Sequence, residues 1–183
     1  MATTFAATRL VFASMFILGH LGIGRTLASP WKRRLPLWPL LAGTLLPDVI
    51  DKPLYFLRLS DVFACTRTFG HTGLFVAVLF SCAALTRSRS TAAVAVGAST
   101  QLVLDLFIDL FNSGPSGELL ALWWPLLGPF MPNDSSSFFN HLGSVWSAPV
   151  VVSEIAGLFL LGLSAWQHSA SLARRKKPAR NSF

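Results

Sequence analysis

His20, Asp48, His71 and Asp105 carry side chains that bind metal ions and move protons, and each lies in or at the edge of a different apolar segment. The chain has only eight acidic residues. Five of them, Asp48, Asp51, Asp105, Asp109 and Glu154, fall within or at the ends of such segments. A charge at the bilayer centre costs from ~3 kcal/mol on insertion scales to over ~10 kcal/mol in simulations, so ionisable groups there face a bundle interior and find a partner. Carboxylates gathered without a cation repel one another, and some stay protonated. A divalent metal relieves both problems. One inward ligand from each of several facing helices is the layout of a metal site in a helical bundle. Mixed imidazole and carboxylate ligands suit zinc, manganese or iron. An open coordination position would hold a water acidic enough to attack an ester or phosphoester. Asp51 or Asp109 would then orient that water or act as general base.

Each residue also has a plainer reading. A single histidine in an apolar segment is often a packed, hydrogen-bonded side chain. Asp48 follows Pro47 and could cap a short helix. Gln101, Asp105 and Asp109 are one helical turn apart on one face, which also describes an interhelical hydrogen-bonding stripe. Glu154 suits the first turn of a helix. His141 falls in a polar loop. A non-catalytic membrane protein, such as a small transporter or a scaffold, would use the same acids for a proton or cation path.

The elements that must position these residues are helices in a membrane. Of the 183 residues, 52% are hydrophobic and 13% charged, against roughly a quarter charged in soluble domains. Four or five segments approach the ~20 apolar residues that span a bilayer. The first, about 10–27, follows Arg9 like a signal peptide, but His20, Gly19, Gly22 and Gly24 suit close helix packing better. The second, 35–57, is punctuated by Pro36, Pro39, Pro47 and Pro53 and is expected to be broken or re-entrant. The third is about 72–86, the fourth about 91–111 and the last about 148–166. The expected fold is all-α, a polytopic transmembrane bundle of one domain over 1–168, followed by a disordered basic tail over 169–183.

The net charge of +7 gathers between the apolar segments and in the tail, at Arg174, Arg175, Lys176, Lys177 and Arg180. That pattern places the C-terminus in the cytoplasm, beside anionic headgroups. No basic face interleaved with aromatics on a soluble module points to nucleic acid. The long connection 112–147 has no Lys or Arg and belongs outside, with Trp-rich 119–130 at the headgroup level. Full spanning by 35–57 gives five segments and puts Lys32–Arg34 inside. A re-entrant 35–57 gives four, with that loop outside and the histidines and acids level with one another. Cys65 and Cys82 form no metal knuckle or redox pair.

Gly19-His20-Leu21-Gly22, Leu45-Leu46-Pro47-Asp48-Val49-Ile50-Asp51, Gly70-His71-Thr72 and Leu102-Val103-Leu104-Asp105, with Trp124-Pro125 after them, occur in the order and spacing of one family. Over about 15–130 the chain resembles the YdjM-like family of bacterial inner-membrane proteins, described as metal-dependent hydrolases. The resemblance implies a plasma-membrane enzyme with a divalent metal, zinc or manganese, held by His20, Asp48, His71 and Asp105, and a lipid-like substrate. Two motifs depart from the family pattern. The third usually reads Arg-Gly-x-Thr-His-Ser, where this chain has Arg67, Phe69-Gly70 and His71. The fourth usually carries a histidine four residues before its aspartate, where this chain has Gln101, whose carbonyl suits a harder ion.

Overall fold

The computed structural model describes residues 17–31, 34–56, 67–113, 121–127, 130 and 148–176. Among these residues all regular secondary structure is helical. Helix α1 covers Ile17–Leu27, α2 Leu37–Phe56, α3 Gly73–Thr86, α4 Arg89–Ser113 and α5 Ala148–Lys176. Short 3-10 turns occupy Ser29–Trp31 and Phe69–His71. The expected break in the second segment does not occur: α2 is a single 20-residue helix with Pro47 and Pro53 inside it. Each proline removes one N–H from the ladder, but the helix continues through both. The last helix also runs past the expected boundary at residue 168, as far as Lys176.

Local signals explain the ends. Thr72 precedes α3, and its Oγ1 accepts the Phe75 N–H at 3.0 Å, satisfying a first-turn donor. Arg87 closes the same helix in the left-handed region, at φ 51°. Ser88 then starts α4 by accepting the Thr91 N–H on Oγ at 3.2 Å. The start of α1 is capped from a distance. Glu154 of α5 accepts the Gly19 N–H at 2.7 Å and the Leu18 N–H at 3.2 Å. Glu154 therefore sits in the body of α5 and serves the positive end of another helix.

The helices meet in two main pairs, α2 with α4 and α1 with α5. Both crossings are backbone against backbone. A Cβ on Gly97 would run into the Leu40 carbonyl, and one on Gly43 into that of Val94. A Cβ on Gly22 would strike Gly157. These contacts bring the helix axes close enough for short inward side chains to meet. The buried interior is correspondingly small and polar. Its apolar members are mostly alanines, with Leu40, Leu102, Ile108 and Val150, while His20, Thr44, Asp51, Arg67, His71, Gln101 and Asp105 are also buried.

Large apolar side chains lie outside instead. Val152, Ile155, Leu158, Phe159 and Trp166 of α5 are all exposed. Two helical stretches are long and apolar enough to cross a membrane, Arg89–Ile108 of α4 and Ala148–Ala173 of α5. Helix α3 is apolar but has 14 residues.

Gly97→Ala is expected to destabilise the fold by about 1–3 kcal/mol through overpacking at the α2–α4 crossing. Gly162→Ala, where nothing lies within 4 Å of the added carbon, should leave stability unchanged or raise it slightly. Thermal unfolding of the two purified variants checks the contrast.

Candidate functional site

The site is organised from α2 by one carboxylate. Asp51 is fully buried. Its Oδ2 accepts the Thr68 N–H at 2.7 Å, the His71 N–H at 3.2 Å and the ring Nδ1–H of His71 at 2.8 Å. Its Oδ1 accepts the Thr68 hydroxyl at 2.8 Å and the Gly70 N–H at 2.9 Å. The turn Phe69–His71 is thus wrapped around the Asp51 side chain. Gly70 makes this possible: a Cβ there would lie 2.7 Å from the Pro47 carbonyl oxygen and 3.2 Å from Asp51 Oδ1. An ionised carboxylate on Nδ1 keeps the proton on that nitrogen and turns Nε2 the other way.

Nε2 of His71 faces the remaining acids. It lies 3.2 Å from Asp105 Oδ2 on α4 and 3.6 Å from Asp48 Oδ1 on α2. His20 of α1 completes the group. Its Nε2 is 3.6 Å from Asp105 Oδ1 and 3.9 Å from Asp48 Oδ2. The structure therefore brings His20, Asp48, His71 and Asp105 to one place from three helices and a turn. His20 is 1% exposed, and among the described residues neither of its ring nitrogens has a hydrogen-bond partner. Asp105 Oδ1 and both amide atoms of the fully buried Gln101, one turn earlier on α4, are in the same condition. Buried polar atoms without partners are rare in folded proteins.

Two cations border the acids. Lys52, one turn after Asp48, reaches its Oδ2 at 2.7 Å. The buried Arg67 guanidinium lies 3.5 Å from Asp105 Oδ1. His71, in the turn outside the two long apolar helices, is subject to opposing effects. Burial disfavours its charged form, but hydrogen bonds to Asp105 and Asp51 and the charges of Asp105 and Asp48 outweigh this and push it up to about 9.

Among the described residues, no group of three or more His, Cys, Asp or Glu side chains stands as a ready metal cluster. His71 and Asp105 hydrogen-bond each other directly instead of facing a shared centre. Imidazole and carboxylate are nevertheless donor types that divalent ions accept. The four separations, 3.2, 3.6, 3.6 and 3.9 Å, run from the two imidazole nitrogens to both oxygens of each carboxylate. A small cavity of about 20 Å³ adjoins the acids, with Arg67, His71 and Asp105 on one side and Leu102, Leu106 and Leu122 on the other. It has room for one or two waters. Nearby, Phe69, Trp124 and Phe130 form an aromatic cluster with ring centroids 5.1–5.5 Å apart.

The remaining sequence-based candidates fare differently. Asp51, considered as a general base, has both oxygens occupied by donors and holds His71 in position. Asp109 lies on α4, and its side chain, like His141, is outside the described residues. Glu154 is not part of the group; it caps α1. Arg67 and Lys52 were not among the sequence candidates. Lys52 was signalled by its i+4 spacing from Asp48, and Arg67 by being a lone arginine four residues before His71. No family model, curated protein or solved structure matches the chain.

Asp51→Asn places an amide where five donors converge, and is expected to lower stability by about 3 kcal/mol or more, as breaking a buried ionic network does. Asp48→Asn, which removes a contact to the part-exposed Lys52, should lower it by about 1 kcal/mol or less. Chemical denaturation of both variants measures the difference.

Proposed function

We propose that this chain is a multi-pass protein of the bacterial inner membrane that binds a divalent metal, zinc or manganese, and hydrolyses an ester or phosphoester of a lipid-like substrate. The observation carrying this reading is the meeting of His20, Asp48, His71 and Asp105 at 3.2–3.9 Å. Those of His20 are too long for hydrogen bonds and suit donors around a common cation. The unpartnered nitrogens of His20 and Oδ1 of Asp105 support the same reading. So does the resemblance to the YdjM-like family, whose motifs supply these four residues.

In this reading His20, Asp48, His71 and Asp105 hold the ion. A bound divalent ion supplies Lewis acidity and lowers the pKa of a water. The chain's own residues do the rest. Asp51 fixes the His71 tautomer and ring, as carboxylates behind metal-binding histidines do. Lys52 restrains Asp48 from the part-exposed side. Asp109, one turn beyond Asp105, is the carboxylate left to take a proton from the water.

The membrane assignment rests on two long apolar helices, a polar interior and an apolar exterior. Polar residues inside and small residues at the helix contacts are the pattern of membrane bundles. A 20-residue α2 is about 30 Å long, enough to cross the hydrocarbon core. This favours five membrane segments, with the loop at Lys32–Arg34 and the C-terminus both cytoplasmic. A topology reporter fused after residue 34 should therefore read as cytoplasmic. A periplasmic signal would restore the re-entrant arrangement.

Metal analysis of the protein purified in detergent tests the hydrolase reading. The parent should carry one zinc or manganese ion per chain, and His20→Ala and Asp105→Ala should carry none after dialysis. Asp51→Asn should weaken binding by about 10–100-fold. A metal-free parent that takes up neither ion on titration would overturn the reading and leave the proton- or cation-path alternative.

A further inference from the structure

Four helices hold the polar centre at nearly the same distance from one end of the molecule. The Asp51–His71 and His71–Asp105 contacts, and the Glu154 cap beside His20, set a common level. From that level, at about 1.5 Å rise per residue, Trp38 lies about 20 Å along α2, Arg87 about 21 Å along α3, Arg89 about 24 Å along α4 and Trp166 about 18 Å along α5. Trp38 and Trp166 are exposed, and tryptophan gathers at a membrane–water boundary. In the other direction α4 and α5 continue only about 9–12 Å, to Ser113 and Ala148. The two stretches together make about 30 Å, the thickness of the hydrocarbon core. In the proposed membrane the centre therefore lies off the midplane, toward the connection 112–147.

The charges divide the same way. Among the described residues, Asp48, Asp51, Asp105, Asp109 and Glu154 all lie at the level of the centre or beyond it, with Lys52 and Arg67. Arg34, Arg87, Arg89 and the α5 positions 174–176 lie at the opposite end, with Arg25 between. Toward that basic end the polar interior stops. Below Gln101 come Thr44 and Thr100, whose hydroxyls donate to carbonyls of their own helices, of Leu41 and Gly97. Beyond them Ala28, Leu40 and Ala93 pack as one buried apolar cluster, and Gly43 and Gly97 bring the α2 and α4 backbones into contact. The other end is open. The Lys52 side chain beside Asp48 is 33% exposed, and an ammonium group seeks water or headgroups, not acyl chains. The cavity wall on that side is Ala121 and Leu122, from the connection without Lys or Arg.

We infer that the polar centre is a one-sided site, open to the extracytoplasmic aqueous layer past Lys52 and the Ala121–Leu122 wall and sealed from the cytoplasm by the packing of Ala28, Leu40 and Ala93. This rests on the membrane assignment and not on a metal or on hydrolysis. A one-sided site takes up its small polar ligand and releases it on the same face. A proton or cation path would need polar groups continuing to the basic end.

Thiol labelling of the full chain in bacterial membranes tests the inference. Cys65 and Cys82 are first replaced by serine. Lys52→Cys, Leu122→Cys, Thr44→Cys and Ser90→Cys are then introduced singly and exposed to a charged trimethylammonium methanethiosulfonate, which does not cross the bilayer. Lys52→Cys and Leu122→Cys should react in spheroplasts and not in inverted vesicles. Ser90→Cys, in the first turn of α4, should do the reverse. Thr44→Cys should be unreactive in inverted vesicles and react in both preparations once the protein is unfolded in dodecyl sulfate. Reaction of Thr44→Cys in inverted vesicles would overturn the seal and favour a path. Reaction of Lys52→Cys and Leu122→Cys only in inverted vesicles, or in neither preparation, would overturn the outward opening while leaving the membrane assignment standing. Reaction of Lys52→Cys and Ser90→Cys from one and the same side would overturn the membrane assignment itself.

Discussion

A fully buried carboxylate controls the centre of this molecule. Asp51 gathers five donors from three residues, Thr68, Gly70 and His71, and in doing so fixes the turn they form. Everything that faces Asp48 and Asp105 from that turn depends on it. The His71 ring can be reached by two other acids because Asp51 has already occupied its far nitrogen. The Gly70 contact with Pro47 then sets how closely the turn lies on α2. Remove the carboxylate, and the ring keeps only its contacts to Asp105 and Asp48, while the turn keeps its own backbone bonds and the Phe69 ring contacts.

The second constraint is the distance between helices. Side chains as short as aspartate converge from different helices only if their backbones nearly touch. The glycines at the α2–α4 and α1–α5 crossings allow this. The result is an interior with little room for leucine or phenylalanine, built from alanine, threonine and a few ionisable groups, while the bulky side chains point away. A protein in water gains stability by the opposite arrangement. In the proposed membrane setting, where hydrophobic burial between helices would supply no driving force, close packing and interhelical hydrogen bonds would take its place.

Much of this was legible in the residue pattern. Acids and histidines within apolar segments are costly enough to isolate that their positions pointed to a meeting point, and His20, Asp48, His71 and Asp105 do meet. The helical class followed from the apolar segments. Other features were hidden for definable reasons. Prolines report the loss of a hydrogen bond locally, but whether a helix survives that loss depends on its neighbours, so the continuity of α2 could not be read from Pro47 and Pro53. The position of Asp51 next to Asp48 suggested shared chemistry. Its saturation by the turn at 68–71 is a tertiary fact with no signature in spacing. Glu154 was read against its own helix, whereas its partners are in α1, more than a hundred residues earlier.

Glu154 links the two ends of the described chain. It holds the first turn of α1, and His20 stands in the same turn and projects into the polar centre. The position of that imidazole is therefore governed by a residue on α5, the helix whose large apolar side chains are exposed. A genetic screen for loss of function would recover changes at Glu154 and Gly157 alongside those at His20. An investigator mapping them onto the sequence would conclude that the last helix forms part of the polar centre. It would in fact be acting as a remote clamp, and only second-site changes that re-cap α1 would distinguish clamp from chemistry.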